Sequence, residues 1–366
     1  MLFRYPITAT AENWFHECLD QILQAIHSNL DSGNTSTDWS EFIAEPYRSR
    51  LKRRLKISDN PNPKRLSLGD KLKNYQALLK TINVSERNRI LQAFNDQNKI
   101  ALLLSCQHDC EAIQDLPQIM QKPVTDLFTY AFKILTDLEI RDKHYKAIYD
   151  AASCHICPFC GYESFDAPGS RREALDHYLS KEKYAFAAAN LRNLVPMGNK
   201  CNSRYKLAQD ILRKDDGTRR KSFDPYNHGT LTVSLDNSQP FAGELGKTGE
   251  RLPKWEIDFG SNSEEVTTWD DVFHIRERYK RDVLNEAFHN WLNGFRSWCR
   301  HPRNTLPNSD QELVDAIEDY VLYYESLGFD DRAFLKAAVF RMLHRHCKNG
   351  DERLIQFIKN VVGVSV

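Results

Sequence analysis

The chain has 366 residues, its 50 Lys and Arg are matched by 50 Asp and Glu, and 41% of it is hydrophobic. That length suits two or three domains with cores large enough to need no staple. The composition excludes a mainly disordered chain, a collagen, a coiled-coil rod and a uniformly basic nucleic-acid coat. Zero net charge leaves nucleic-acid chemistry open, because binding depends on where charge sits.

Residues 1–151 read as a helical N-terminal region. Trp14, Cys18, Ile22 and Ile26 recur at helical spacing, and residues 71–80 and 85–95 carry similar patterns, with Ser85 as a candidate N-cap. Leu127, Phe132, Leu135 and Leu138 mark a longer helix that is expected to run to Ala151. Between these, residues 48–65 hold eight cations against Asp59 alone, interrupted by Asn60-Pro61-Asn62-Pro63. Such a run reads as a solvated face or as a polyanion contact. Residues 152–225 lose the helical period and gain Cys, Gly and Pro. Residues 226–366 begin with a small β element: residues 230–235 and 255–259 alternate with period two. From Thr267 the chain is helical again, with Thr268 as a candidate N-cap and one apolar stripe from Val272 to Trp298. Ser309-Asp310-Gln311-Glu312 opens a further helix, and two more are expected near 331–347 and 351–361. Residues 308–331 carry eight acids and no base. The expected fold class is α+β, mainly α.

No run of about 18 apolar residues occurs, so no membrane span is expected. The N-terminus lacks the apolar core of a signal peptide, and a cytoplasmic location is expected. There are nine cysteines. In a reducing compartment their clustering points to metal rather than to disulfides. Cys157-Pro158-Phe159-Cys160-Gly161 is a Cys-x-x-Cys knuckle able to grip zinc, and Cys201 follows at a span that suits a second knuckle. Gly198 stands where that second knuckle would have its other cysteine. The fourth ligand stays open between Cys154, His155 and water.

Between the knuckles, Asp176-His177 pairs a hard oxygen ligand with an imidazole. A strand carrying these two, a returning strand at 193–196 and a helix starting near Asn202 would form a ββα unit. In it, Asp176 and Asn202 would hold one divalent cation, Mg²⁺ or Mn²⁺. His177 would then deprotonate a water for phosphodiester hydrolysis. Asn202 also reads as a simple helix cap, and His177 alone would read as a core histidine. Cys106-Gln107-His108-Asp109-Cys110 and His344-Arg345-His346-Cys347 read better as packing than as metal sites.

The stretch CPFCG, LDHYLSK, NLVPMGNKCNSRYK resembles the HNH endonucleases, the zinc-supported ββα-metal nucleases, over about 55 residues. The resemblance implies a central HNH module over 152–225, flanked by helical regions. It implies His177 as general base, Asp176 and Asn202 as cation ligands, Asn193 as the residue that steadies the loop between the strands, and Cys157, Cys160 and Cys201 as zinc ligands. Gly198, in place of the family's fourth cysteine, departs from the pattern. From Arg171 to Lys221 thirteen cations face six acids. Lys181, Arg204 and Lys206 are the candidates for touching nucleic acid there. The expected function is metal-dependent cleavage of nucleic acid, with DNA preferred. The alternative is a catalytically silent binding module on the same scaffold. Proteins of this build resemble nuclease subunits of bacterial antiviral defence or restriction systems, some of which work beside an ATPase.

Overall fold

The computed structural model describes the chain except residues 34–35, 60–65, 171–174, 208, 247–248, 250, 302–305 and 364–366. The Asn60–Arg65 part of the first basic run, Arg171, Arg172 and Glu173 of the second, and Pro302 lie outside the described residues. The fold is α+β and mainly helical, and the described residues form one two-stranded sheet. Two bodies are distinguished, Arg4–His155 with Phe165–His228, and Met1–Phe3 with Ile156–Ser164 and Gly229–Val366. The stretch 152–225 contributes to both. No helix among the described residues is long and apolar enough to cross a membrane.

In the N-terminal body α1 (Trp14–Asp31) buries Trp14, Cys18, Ile22 and Ile26, the residues whose spacing marks it in the sequence. The short α2 (Tyr47–Leu55) follows. Then α3 (Leu68–Leu79) opens with a capping box in which Ser67 and Asp70 satisfy each other's backbone N–H groups. The helix α4 (Val84–Gln97) starts from Asn83, not Ser85, because the Asn83 side chain reaches the Glu86 N–H. After α5 (Ile100–Leu104), the expected long helix to Ala151 is in fact two, α6 (Gln118–Asp137) and α7 (Ile140–Ala151). Glu139 breaks it with a left-handed φ of 58°, a conformation no helix can continue through.

The strands are β1 (Leu175–His177) and β2 (Leu194–Pro196), antiparallel, with Asp176 opposite Val195 and His177 opposite Leu194. Beyond β2 the expected helix from Asn202 is only a wide π-helical turn, Cys201–Lys206, stopped at Leu207 by its positive φ. The connection between the strands sinks Ala185, Phe186, Ala188 and Ala189 into the helical core. Phe186 meets the edges of Phe94 and Phe128 there, so this loop is part of the body's interior.

In the C-terminal body the alternating residues of 229–259 do not form a strand ladder. Among the described residues their pairing is limited to the single bridges Ser234–Asp258, Gln239–Lys254 and Leu245–Arg251, with turns closed by the Ser238 N–H on the Leu235 carbonyl and the Ala242 N–H on the Gln239 carbonyl between them. Helix α8 (Glu264–Phe273) is capped by Ser263, while Thr268, the expected cap, is buried. The long stripe from Val272 to Trp298 is divided. His274 (φ 51°) separates α8 from α9 (Ile275–Arg278), and a π-helical turn, Tyr279–Leu284, leads into α10 (Asn285–Cys299). Helix α11 (Asp310–Ser326) starts at the Ser309 cap and packs along α12 (Ala333–Lys348), where Tyr320 meets the edge of Phe340; α13 (Glu352–Val362) closes the body.

Candidate functional site

A cleft of about 480 Å³ in the N-terminal body is lined by Phe132, Asp176, His177, Lys181, Glu182 and Lys206, among others. Chain adjacency alone brings Asp176 and His177 to it, at the end of β1. The rest depends on how the inter-strand connection is tied down. The Tyr178 N–H bonds the Asn193 carbonyl, extending the β1–β2 pairing by a step. The Asn193 side chain, fully buried, then accepts from the Leu179 N–H (2.6 Å) and donates to the Leu179 and Ala187 carbonyls (3.0 and 3.3 Å). The next carbonyl, that of Ala188, lies 3.0 Å from His177 Nε2.

That contact decides the tautomer. A carbonyl only accepts, so Nε2 carries the proton and Nδ1 is left with the lone pair. Phe132 of α6 lies edge-on to the imidazole, with ring centroids 4.4 Å apart, which fixes the ring plane. Burial, aided by the neighbouring Lys181 ammonium, presses the imidazole down to about 3, against the pull of the Ala188 carbonyl. The ring is therefore neutral across the physiological range.

Asp176 is enclosed as well, with 13% of its side chain exposed, and burial pushes its carboxyl above the ordinary range while Lys206 pulls it back. Lys206 is expected at the nucleic-acid surface, but only 1% of its side chain is exposed. Its Nζ donates to the His177 carbonyl (2.8 Å) and lies 2.7 Å from Asp176 Oδ2, a charge contact more than an aligned hydrogen bond. The wide turn Cys201–Lys206 thus sends Lys206 into the cleft, whereas Asn202 and the exposed Arg204 are not among its lining residues. Glu182 is, and its Oε2 accepts from Ser180 Oγ (2.8 Å). Partial burial raises its carboxyl, but that hydrogen bond and nearby positive charge bring the net shift below the ordinary value. Sequence reasoning passed over Glu182 and Phe132. The first stands five residues beyond His177, close enough to suspect; the second arrives from another helix with no local signal.

Much of the positive charge around this motif is already matched. Arg192 pairs with Asp224, Lys183 with Asp210, and Arg213 and Arg219 with Asp109. Lys181 is the cation of the predicted set that reaches the cleft with no ion pair among the described residues.

The Cys157–Cys160 knuckle belongs to the C-terminal body. The Cys160 and Gly161 N–H groups both turn back to the Cys157 carbonyl, and the Cys157 N–H bonds the Glu163 carbonyl. Gly161 takes φ +72°, and a Cβ there would sit 2.4 Å from Leu2 Cδ1 and 2.8 Å from Phe334 Cζ. Trp269 Nε1 donates to the Phe159 carbonyl and the Tyr279 hydroxyl to the Cys160 carbonyl, both at 2.9 Å. Both knuckle thiols are fully buried, as is Cys201 in the N-terminal body. Cys154 is partly buried, and His155 is exposed, stacked on Tyr149 at 3.6 Å. No family model, curated protein or solved structure was found to match this chain.

Proposed function

We propose that the protein is a metal-dependent nuclease that hydrolyses phosphodiester bonds, with DNA as substrate, through an HNH-type site formed by β1, β2 and the turn after them. The observation that carries this reading is the His177–Ala188 hydrogen bond beside Asp176 in one cleft. A neutral imidazole with its Nε2 proton committed to a carbonyl leaves the Nδ1 lone pair able to accept a proton. In this reading it takes that proton from the attacking water. Lys181 receives the anionic phosphate, and that negative charge raises the basicity of His177 as the substrate arrives.

The donors in the cleft fit a hard cation. Asp176 and Glu182 supply carboxylate oxygens, and Asn202 remains the sequence-derived candidate for a third. Mg²⁺ or Mn²⁺ bound there would stabilise charge on the phosphate and the leaving oxygen. Zinc at the Cys157–Cys160 knuckle is part of the same proposal, as a structural ion. A place in a bacterial defence or restriction system, beside an ATPase, rests on the sequence resemblance alone.

The Lys206–Asp176 contact favours a second reading, a silent binding module, because the aspartate already has a charge partner without any cation. Plasmid cleavage in Mg²⁺ or Mn²⁺ separates the two. The nuclease reading expects cutting by the wild type and a loss of about 10²-fold or more in His177→Ala. Equal cutting by the two proteins would sink the mechanism, and no cutting by either, with DNA binding intact, would favour the silent module.

A further inference from the structure

We propose that α2 is a docking surface for the phosphate backbone of nucleic acid, in addition to whatever the His177 cleft itself contacts. This deepens the nucleic-acid reading but does not depend on hydrolysis.

Helix α2 reads YRSRLKRRL, with five cations and no acid. Its orientation is set by its apolar residues. Leu51 and Leu55 are buried, and Tyr47 stacks on Trp14 at 4.6 Å with the rings nearly parallel. The opposite side therefore presents Arg48, Arg50, Lys52 and Arg53 to solvent, and Lys56 just beyond the helix is exposed too. Arg50 lies over the Trp14 ring at 4.4 Å, and Arg48 donates to the Ile43 carbonyl. Among the described residues, Lys52, Arg53, Arg54 and Lys56 enter no ion pair.

Several arginines of this body are instead paired: Arg87 with Asp31 and Arg89 with Glu111, as Arg192 and Arg213 have their own partners. Of the acids near α2 in sequence, two are engaged by serines, and Asp59, four residues past the helix, is exposed. Glu45 accepts from the backbone and hydroxyl of Ser49, and Asp70 accepts from Ser58 and Ser67. The arrangement is also costly to the helix. Arg50 meets Arg53 and Arg54 at spacings of three and four. Such like-charge pairs destabilise a helix. The helix dipole favours cations in the last turn, but Arg48 and Arg50 stand in the first turn, at the wrong end. A row of unpaired, mutually repelling cations held on a fixed helix is a surface matched to a polyanion. A bilayer fits poorly, because α2 turns its apolar residues inward and keeps none for insertion. The regular phosphates of a nucleic acid match a row of long, unpaired cationic side chains.

The test uses the full chain with Lys52→Ala, Arg53→Ala and Lys56→Ala combined, leaving Arg48 and Arg50 in their packing arrangement. Binding to a 30-base-pair DNA duplex is followed from about 50 to 200 mM salt, without added divalent cation. Each phosphate that the protein no longer neutralises makes the slope of log affinity against log salt shallower by about 0.9. The expected result is a slope shallower by about two to three and at least tenfold weaker binding at about 100 mM salt, with helicity and unfolding temperature unchanged. A control removes three exposed lysines from α6 and α7: Lys122, Lys133 and Lys146. If binding by the control falls as far as that of the α2 variant, overall charge is responsible and the proposal falls. It also falls if the α2 variant binds like wild type, if wild type fails to bind the duplex, or if phosphatidylserine vesicles take the place of DNA. A protein that never cuts DNA but loses binding in the α2 variant would overturn the nuclease reading and leave this one standing.

Discussion

Lys206 places its ammonium 2.7 Å from the Asp176 carboxylate, with both side chains withdrawn from solvent and the same ammonium donating to the His177 carbonyl. One residue from the turn after β2 thus holds the charge and the backbone of the two adjacent residues on which the proposed chemistry depends. Lys206→Met leaves Asp176 as an uncompensated buried charge and is expected to cost about 3–5 kcal/mol in urea unfolding without metal. The Asp176→Asn, Lys206→Met double variant should recover most of that. If Asp176 takes a cation, Mn²⁺ raises the unfolding temperature of Lys206→Met more than that of wild type. A cost below about 1 kcal/mol would mean that the pair is solvated like a surface ion pair.

Asn193 satisfies three backbone groups of the loop that presents the Ala188 carbonyl to His177. Asn193→Ala strands them in the interior at roughly 1–3 kcal/mol each, so a loss of about 3 kcal/mol or more is expected in denaturant unfolding. Asn193→Asp keeps an acceptor for the Leu179 N–H but has no donor, and should be damaged nearly as much. A neutral Asn193→Ala result would show that water replaces the side chain.

Two histidines of α1 predict acid sensitivity. Burial lowers His16 to about 4 and His27 to about 4, and His27 Nε2 lies 2.9 Å from the Tyr75 hydroxyl. A lowered folded-state value means the unfolded chain binds more protons below about pH 6.5. Their stabilising contribution is therefore complete above about pH 6.5 and is lost as pH falls toward 4, at about 2 kcal/mol per histidine between pH 7 and 5. Urea unfolding at several pH values checks the slope. His27→Gln, which keeps a polar partner for Tyr75 but does not titrate, should flatten it by about one proton. An unchanged slope would show that His27 is not the titrating group.

The knuckle predicts both strain and metal. Gly161→Ala forces a left-handed residue and a Cβ against Leu2 and Phe334, so about 2 kcal/mol or more of lost stability is expected. Elemental analysis of the purified chain should find about one zinc, and Cys157→Ser or Cys160→Ser should release it. Zinc retained at full stoichiometry in both variants would place the ion elsewhere.

Local signals carried most of the helices. The repeat of Trp14, Cys18, Ile22 and Ile26 is the buried face of α1, and the Ser309 cap starts α11 as read. They failed where a single residue departs from the pattern without announcing it. Nothing in the sequence near Glu139 or His274 requires a positive φ, yet each divides a continuous apolar stripe into two helices. The alternation at 230–235 is real, but turns on either side keep it from becoming a ladder. In the cleft, Asp176, His177 and Lys181 were legible because they are near neighbours. Glu182 stands close enough to them to suspect, Phe132 comes from another helix with no local signal, and a basic residue in a basic stretch such as Lys206 gives no sign that it will be buried.

By itself, then, the sequence determined the mainly helical class, the Cys157–Cys160 turn and the pairing of a carboxylate with an imidazole at positions 176 and 177, since all three follow from short-range spacing. Only the tertiary structure decided which imidazole nitrogen is free, where the Lys206 charge goes and which cations of α2 have no ion pair among the described residues. Those outcomes depend on partners 11 residues away (Ala188 for His177), 29 away (Lys206 for the His177 carbonyl) and 104 away (Asp109 for Arg213). Hydrogen-bond and charge partners are chosen by burial in the finished fold, where each polar group must be matched, and no local period records that choice.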